Sequence, residues 1–338
     1  MNFDFSDDQQ AIKRTAKDLL GARFTPDRLR ELAESGTYDD VVWKELCELG
    51  WPGIFVADER GGQGLGIVEL VILMEELGYA LAPLPFLSGA AAGLALQAAG
   101  SDEQQDRWLA GIASGEVRAT VGLAANGEAR LVPDAEGAEV IVLLDREGGR
   151  LVEAAEAQVD PLATIDATRR FARVRADGGD PLPGDTSAAL DGIVTALAAE
   201  LTGISQRAME MAVEYARDRK QFGRAIGSYQ AVAHRCAQML LETEGARSAS
   251  YYAAWTADAE PESFPAAASM AKAYASDAAW RVTASSLQVH GGIGFTWEHD
   301  LHFFLKRAKA GGLLYGSAGQ HRERVAELTG FATEPAHA

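Results

Sequence analysis

Residues 217–230 read RDRKQFGRAIGSYQ, and their types suggest binding chemistry before any fold is considered. Arg219 offers a forked guanidinium, Gln221 and Gln230 offer amides, Phe222 offers a flat ring, and a turn at Gly223 brings them round one corner. Such a set suits a nucleotide carrying a pyrophosphate, because a guanidinium pairs with phosphate oxygens and an aromatic face stacks on a base. Helix capping is the plainer use of Arg219 and Lys220, since cations are favoured at a helix C-terminus. A second stretch, LQVHGGIGFT at 287–296, places Gln288 just before Gly291 and Gly292. Paired glycines let a ligand approach bare backbone, though a helix C-cap uses them equally well.

Other groups promise less. LLYGSAGQHR at 313–322 looks like a catalytic loop without an acid. Its GSAG lacks the glycine that a G-x-S-x-G elbow needs, because Tyr315 stands there, so Ser317 is not expected to be a nucleophile. GGQGLG at 61–66 has no βαβ unit around it and reads as a tight loop between helices. His299 and His302 lie one helical turn apart without a third metal ligand, which predicts surface histidines and no metal site. Cys47 and Cys236 have no partner at ligand or CxxC spacing, so two buried thiols in a reducing cytoplasm are expected.

The elements that must position these groups come in three stretches of different texture. Residues 1–115 are helical in pattern, with Ser6 and Ser101 as N-caps and Gly50 as a stop. Residues 116–183 break into short alternating runs such as RATVGLAA and AEVIVLLD, which predict a small β region closed by the linker DGGDPLPGD at 177–185. From 184 to 338 long helices return: one to about Arg219, one from about Ser228 to Trp255, one from about Ser263 to His290, and one over EHDLHFFLKRAKAGGLLY. The spacing predicts a four-helix bundle, and a mainly α chain with a β insert.

The chain has 338 residues, 47% hydrophobic, with a formal net charge of −18. That balance argues against a broad nucleic-acid or anionic-membrane surface but leaves room for an anionic small ligand held by local arginines. The apolar run at 81–100 contains prolines and glycines and predicts a buried loop and helix rather than a membrane span. The expected location is the cytoplasm.

Taken in order, these stretches resemble the FAD-dependent acyl-CoA dehydrogenases. FSDDQQAIKRTAKDLL, ELGWPGIFVADERGGQGLGIVELVILMEELG, QFGRAIGSYQAVAHRCAQM and QVHGGIGFTWEHDLHFFLKRAKA match family signatures over roughly 1–115 and 186–325. The resemblance implies an N-terminal helical domain, a middle β domain and a C-terminal four-helix bundle. It also implies α,β-dehydrogenation of a CoA thioester: a glutamate takes the α proton, a hydride leaves for FAD, and an electron-transfer flavoprotein reoxidises it. By the same resemblance Arg219, Gln221, Phe222, Gln230, Gln288, Gly291 and Gly292 hold the ADP end of a neighbouring subunit's FAD, with Gln320 kept from the set that serves the chain's own site.

The departures matter as much. Gly316 stands where many members carry the glutamate after a tyrosine, and glycine has no proton acceptor. Members with the base on the long helix place it at the position of Ile193; Asp191 and Glu200 are near but out of register. The β region is short, lacks the family's acid-Pro-x-Ala-Gly-Ser-Asp stretch, and has no tryptophan between Trp108 and Trp255 to wall a flavin. The expectation is a subunit with an incomplete site, paired in an α2β2 assembly with a full-length relative, as in members acting on bulky steroid side-chain thioesters. A self-sufficient homo-oligomer with a relocated base and a non-redox scaffold are the alternatives. Phe303, Phe304, Leu313 and Leu314 are expected to face neighbouring subunits.

Overall fold

The computed structural model describes residues 5–145 and 148–331. Six helices come first: α1 (Asp7–Arg23), α2 (Pro26–Ser35), α3 (Asp40–Glu48), α4 (Ile67–Tyr79), α5 (Phe86–Ala99) and α6 (Asp102–Ser114). Ser6 and Ser101 each form a reciprocal capping box with the glutamine three residues on, as their spacing predicts. α2 is not among the expected helices; Thr25 caps it and Pro26 opens it. The 81–100 run becomes a buried turn followed by α5, of 14 residues, too short to span a bilayer.

Seven strands follow: β1 (Ala119–Ala125), β2 (Glu128–Pro133), β3 (Val140–Leu144), β4 (Gly149–Glu153), β5 (Gln158–Leu162), β6 (Phe171–Arg175) and β7 (Asp180–Leu182). They form one sheet in the order β5-β6-β2-β1-β3-β4-β7, antiparallel except for β1 beside β3. β7 lies inside the stretch expected to be a linker; its backbone pairs with β4 despite Pro181, because an edge strand can spare a donor. Asn126 and Gly127, at φ 51° and 77°, make a two-residue turn between β1 and β2.

The rest is helical: α7 (Thr186–Asp218), α8 (Gln230–Ala259), α9 (Phe264–His290), α10 (Leu301–Leu313) and α11 (Ala318–Leu328), with a two-stranded hairpin, β8 (Lys220–Gln221) and β9 (Arg224–Ala225), between α7 and α8. α11 is not among the expected helices either; the small residues Gly316 and Ser317 break it from α10, and Ser317 caps it. α7 is the one described helix long and apolar enough to cross a membrane, and it is the buried centre of the bundle. It approaches α4 closely through glycines. A Cβ on Gly203 would lie 1.9 Å from the Glu75 carbonyl oxygen, and one on Gly78 would lie 2.1 Å from that of Glu200.

Phe303, Phe304 and Leu314 do not face outward. They are buried within the chain because α10 lies over α7 and α9, and Leu313 alone of the four is exposed. Beside the shared apolar core, a buried polar cluster joins sheet to bundle. Arg307 of α10 donates to Asp166 (2.7 Å), to Glu200 of α7 (2.9 Å) and to the Thr168 carbonyl (2.6 Å), while Arg169 donates to Glu200 (2.6 Å). Every one of these side chains is buried. Removing one partner of a buried pair leaves the other charge uncompensated. Arg307→Met should therefore cost about 3–5 kcal/mol of stability, seen as a lower midpoint in urea unfolding of the full chain; an unchanged midpoint would show that the knot is dispensable.

Candidate functional site

The corner at 219–230 is built by the end of α7. The Arg219 N–H donates to the Tyr215 carbonyl (2.9 Å), and the chain then turns through Phe222 and Gly223 at φ 52° and 80°. Positive φ at both central residues is the geometry of a tight hairpin. It holds Phe222 at the tip, 91% exposed. Tyr229 braces the hairpin from below: its hydroxyl donates to the Gln221 carbonyl (3.1 Å), and the Arg224 guanidinium lies 4.0 Å from its ring centroid. Gln230 follows as the first residue of α8 and is exposed.

The second motif closes α9, which packs against α7. His290, the last residue of α9, stacks on Tyr215 with ring centroids 4.7 Å apart. Tyr215 is one turn before Arg219, so the two glycine-bearing stretches meet through this pair. Gln288 is exposed, and a Cβ added to Gly291 or Gly292 would meet nothing within 4 Å. The open backbone, exposed ring, amides and cations Arg217, Arg219, Lys220 and Arg224 form a basic corner on a chain of charge −18. That donor set fits the pyrophosphate and base of a dinucleotide.

Gln320 lies elsewhere. It faces a cavity of about 660 Å³ between the β1–β2 turn and the start of α7, lined by Leu123, Asn126, Glu128, Asp145 and Leu190 among others. Glu128 and Asp145 bring carboxylates to that cavity and Arg130, paired with Glu128 at 3.1 Å, brings a guanidinium, while Asp185 caps α7, accepting from Ser187 and Ala188.

The loop with the missing acid is locked from behind. Tyr315 (φ 57°) is buried and its hydroxyl donates to the Val121 carbonyl (3.1 Å) of β1. Gly316 has φ 107°, and a Cβ there would lie 2.8 Å from His321 Nε2, which itself sits 3.0 Å from the Tyr315 carbonyl. Burial pulls the His321 pKa down to about 4 against that hydrogen bond. Lys272 of α9 is fully buried; its Nζ lies 3.1 Å from the carbonyls of Gly311, Gly312 and Gly316. Burial brings its pKa down to about 7. Lys272 is not legible as a site residue in the sequence, since a lysine in a helical stretch reads as solvated surface.

Neither nearby acid is free to act as a base. Asp191 is gripped by Arg324, at 3.1 Å through one oxygen and more closely through the other. Burial raises its pKa and Arg324 opposes that rise. Burial also pushes Glu200 upward, but Arg169 and Arg307 overcome it and hold the carboxylate below its usual range. The histidines expected at the surface are half-buried: His299 packs on His290 at 4.4 Å and His302 on Trp297 at 4.6 Å. No metal-binding cluster exists among the described residues. Cys47 and Cys236 are half-buried free thiols, and burial raises both.

Restoring an acid at 316 meets both the positive φ and His321. Gly316→Glu should lower stability by about 1–3 kcal/mol and give no flavin reduction by the lone chain with acyl-CoA thioesters. A stable Gly316→Glu chain that bleaches the flavin band would overturn this account of the loop.

Comparison with known proteins agrees with the geometry. The family models for the acyl-CoA dehydrogenase N-terminal domain and the acyl-CoA dehydrogenase C-terminal domain match residues 6–116 and 186–329. The chain is similar to acyl-CoA dehydrogenase IpdE2 of Mycobacterium tuberculosis, 35% identical with 94% of this chain and 96% of the relative covered. Among solved structures it is similar to the ChsE4-ChsE5 complex from Mycobacterium tuberculosis (TM-score 0.88, 26% identity, 99% and 100% of the two chains). It is also similar to a Tcur3481-Tcur3483 steroid ACAD variant (TM-score 0.87, 26% identity, 96% and 98% covered). With both its terminal helical regions matched and its fold shared throughout, the chain belongs to the acyl-CoA dehydrogenases, a family of FAD-dependent oxidoreductases.

Proposed function

We propose that this chain is the supporting subunit of a two-component acyl-CoA dehydrogenase, pairing with a full-length relative that carries the catalytic glutamate. The observation that carries this is the loop at 315–317, where Gly316 offers no acid and His321 fills the space a side chain would enter. Locked Asp191 and Glu200 speak against a self-sufficient enzyme with a relocated base. The exposed corner speaks against a scaffold without flavin, because Phe222 is exposed and touches little of its own chain besides Tyr229.

On this reading Arg219 pairs with the pyrophosphate, Phe222 and Gln221 bound the adenine end, and Gln288 with Gly291 and Gly292 holds it by side-chain amide and bare backbone. FAD supplies the hydride acceptor when bound, and the base comes from the partner. This chain's residues orient the cofactor and exclude water from one side of it. The division into domains at 1–115, 116–183 and 184–338 belongs to the same proposal: the short β region does not complete a site of its own. Two relatives in structure are a named complex and a steroid ACAD. A bulky, steroid-derived CoA thioester is accordingly the proposed substrate class, with an electron-transfer flavoprotein as acceptor and the cytoplasm as location.

Co-purification with a full-length relative tests this. The mixed complex should hold one flavin per pair of chains and turn over, while the lone chain should not bleach flavin with any saturated acyl-CoA; turnover by the lone chain would sink the proposal. Within the complex, Arg219→Ala should weaken FAD binding by about 1.5–3 kcal/mol, roughly tenfold or more, measured by equilibrium dialysis of the flavin. Undiminished affinity would remove Arg219 from the site.

A further inference from the structure

The segment between Gly291 and α10 is held by imidazoles. Three of the chain's six histidines meet there: His290 between Tyr215 and His299, and His302 between Trp297 and Phe303. Two of them are used as acceptors. His299 Nδ1 accepts the Leu301 N–H (3.2 Å) at the start of α10, and His302 Nδ1 lies 3.4 Å from the Lys306 ammonium. His302 Nε2 is buried without a partner. A proton arriving at either Nδ1 would set donor against donor.

The charges around the cluster offer no relief. From α2 Arg30 faces it; from α10 Lys306 does, lying 4.5 Å over the Trp297 ring. The carboxylate facing it, Asp300, is already bound by Arg30 at 2.6 Å, and Glu298 lends its backbone carbonyl to the same arginine. α7 contributes Tyr215, and α9 contributes His290, whose Nδ1 is 2.8 Å from the Ser286 carbonyl. Protonated imidazoles would thus meet two cations, one another, and a single anion already engaged.

We propose that His290, His299 and His302 form an acid-sensitive latch that keeps Gly291–Trp297 seated beside the Arg219 corner and lets it go when the imidazoles are protonated. The inference rests on the proposed function in one respect, that this corner holds a flavin. Burial first, then neighbouring cations and imidazoles, keep the folded pKa values of His299 and His302 low, that of His302 at about 4; burial also lowers His290. Folded values below the ordinary 6.5 mean that the seated segment binds fewer protons than the released one. Its stability is complete above about pH 6.5 and is lost as pH falls toward 4. The His302 imidazole alone shifts the opening equilibrium by roughly tenfold for every pH unit in that window.

Two measurements on the full-length protein test the latch. Hydrogen exchange of the peptide spanning 288–300, corrected for intrinsic rate, should lose at least about tenfold of its protection between pH 7.5 and 5.5. The double variant His299→Asn, His302→Gln keeps an acceptor at both places but cannot be protonated there, and should lose markedly less protection across that range, with only His290 left to titrate. Equal protection of the wild type at both pH values, or an unaltered pH dependence in the double variant, would overturn the proposal. In the flavin-loaded complex the same pH step should release FAD, read by the rise in free-flavin fluorescence. A segment that loosens while flavin stays bound supports the latch and instead removes this loop from the flavin site.

Discussion

Two arginines and two acids, buried where sheet and bundle meet, are the constraint on which the rest of the molecule depends. Arg307, Arg169, Glu200 and Asp166 come from α10, the β5–β6 connection and α7, so no local segment can satisfy them. Charged groups in a low-dielectric interior must be paired or they are strongly unfavourable. The knot therefore fixes the sheet against the bundle, and through Tyr315 and Val121 it also fixes the loop at Gly316. The satisfaction is not complete: Arg169 Nε and Nη1 and Glu200 Oε2 have no protein partner. Such atoms are where ordered water is expected in an interior of this kind.

The same interior also holds the polar groups behind the loop at Gly316. Asp134 accepts from both Tyr38 and Ser88, and burial raises its pKa. Arg169 is paired with Glu200 and the Tyr315 hydroxyl with the Val121 carbonyl, so each of these polar groups is engaged. An apolar acyl chain would have to displace hydrogen-bonded partners and leave them unsatisfied, a cost that hydrophobic contact does not offset.

The helices with strong caps and clear periodicity were legible in the sequence: α1 from Ser6, α6 from Ser101, and α7 from its stripe of Leu, Ile and Val. The α-β-α order and the two glycine-bearing motifs were legible too. α2 was hidden by its shortness and few apolar residues, and β7 by its Gly and Pro content, which signals a turn. The interior charges could not be read, because Glu200 and Arg307 are far in sequence from each other and from Asp166 and Arg169, and all four look like surface residues one by one. The outward aim assigned to Phe303 and Phe304 failed for a related reason. Periodicity identifies an apolar face but not what covers it, and α7 and α9 cover this one.

Phe222 sits at the tip of a two-residue hairpin and touches little of its own chain besides Tyr229. Folding therefore gains almost nothing from it, and loses almost nothing when it changes. A survey of variants ranked by cellular abundance would pass substitutions at Phe222 as neutral, as it would at Gln221 or Gln288. Such a survey would flag Arg307 and miss the corner, because abundance follows the energy of the isolated fold, to which these exposed side chains add little.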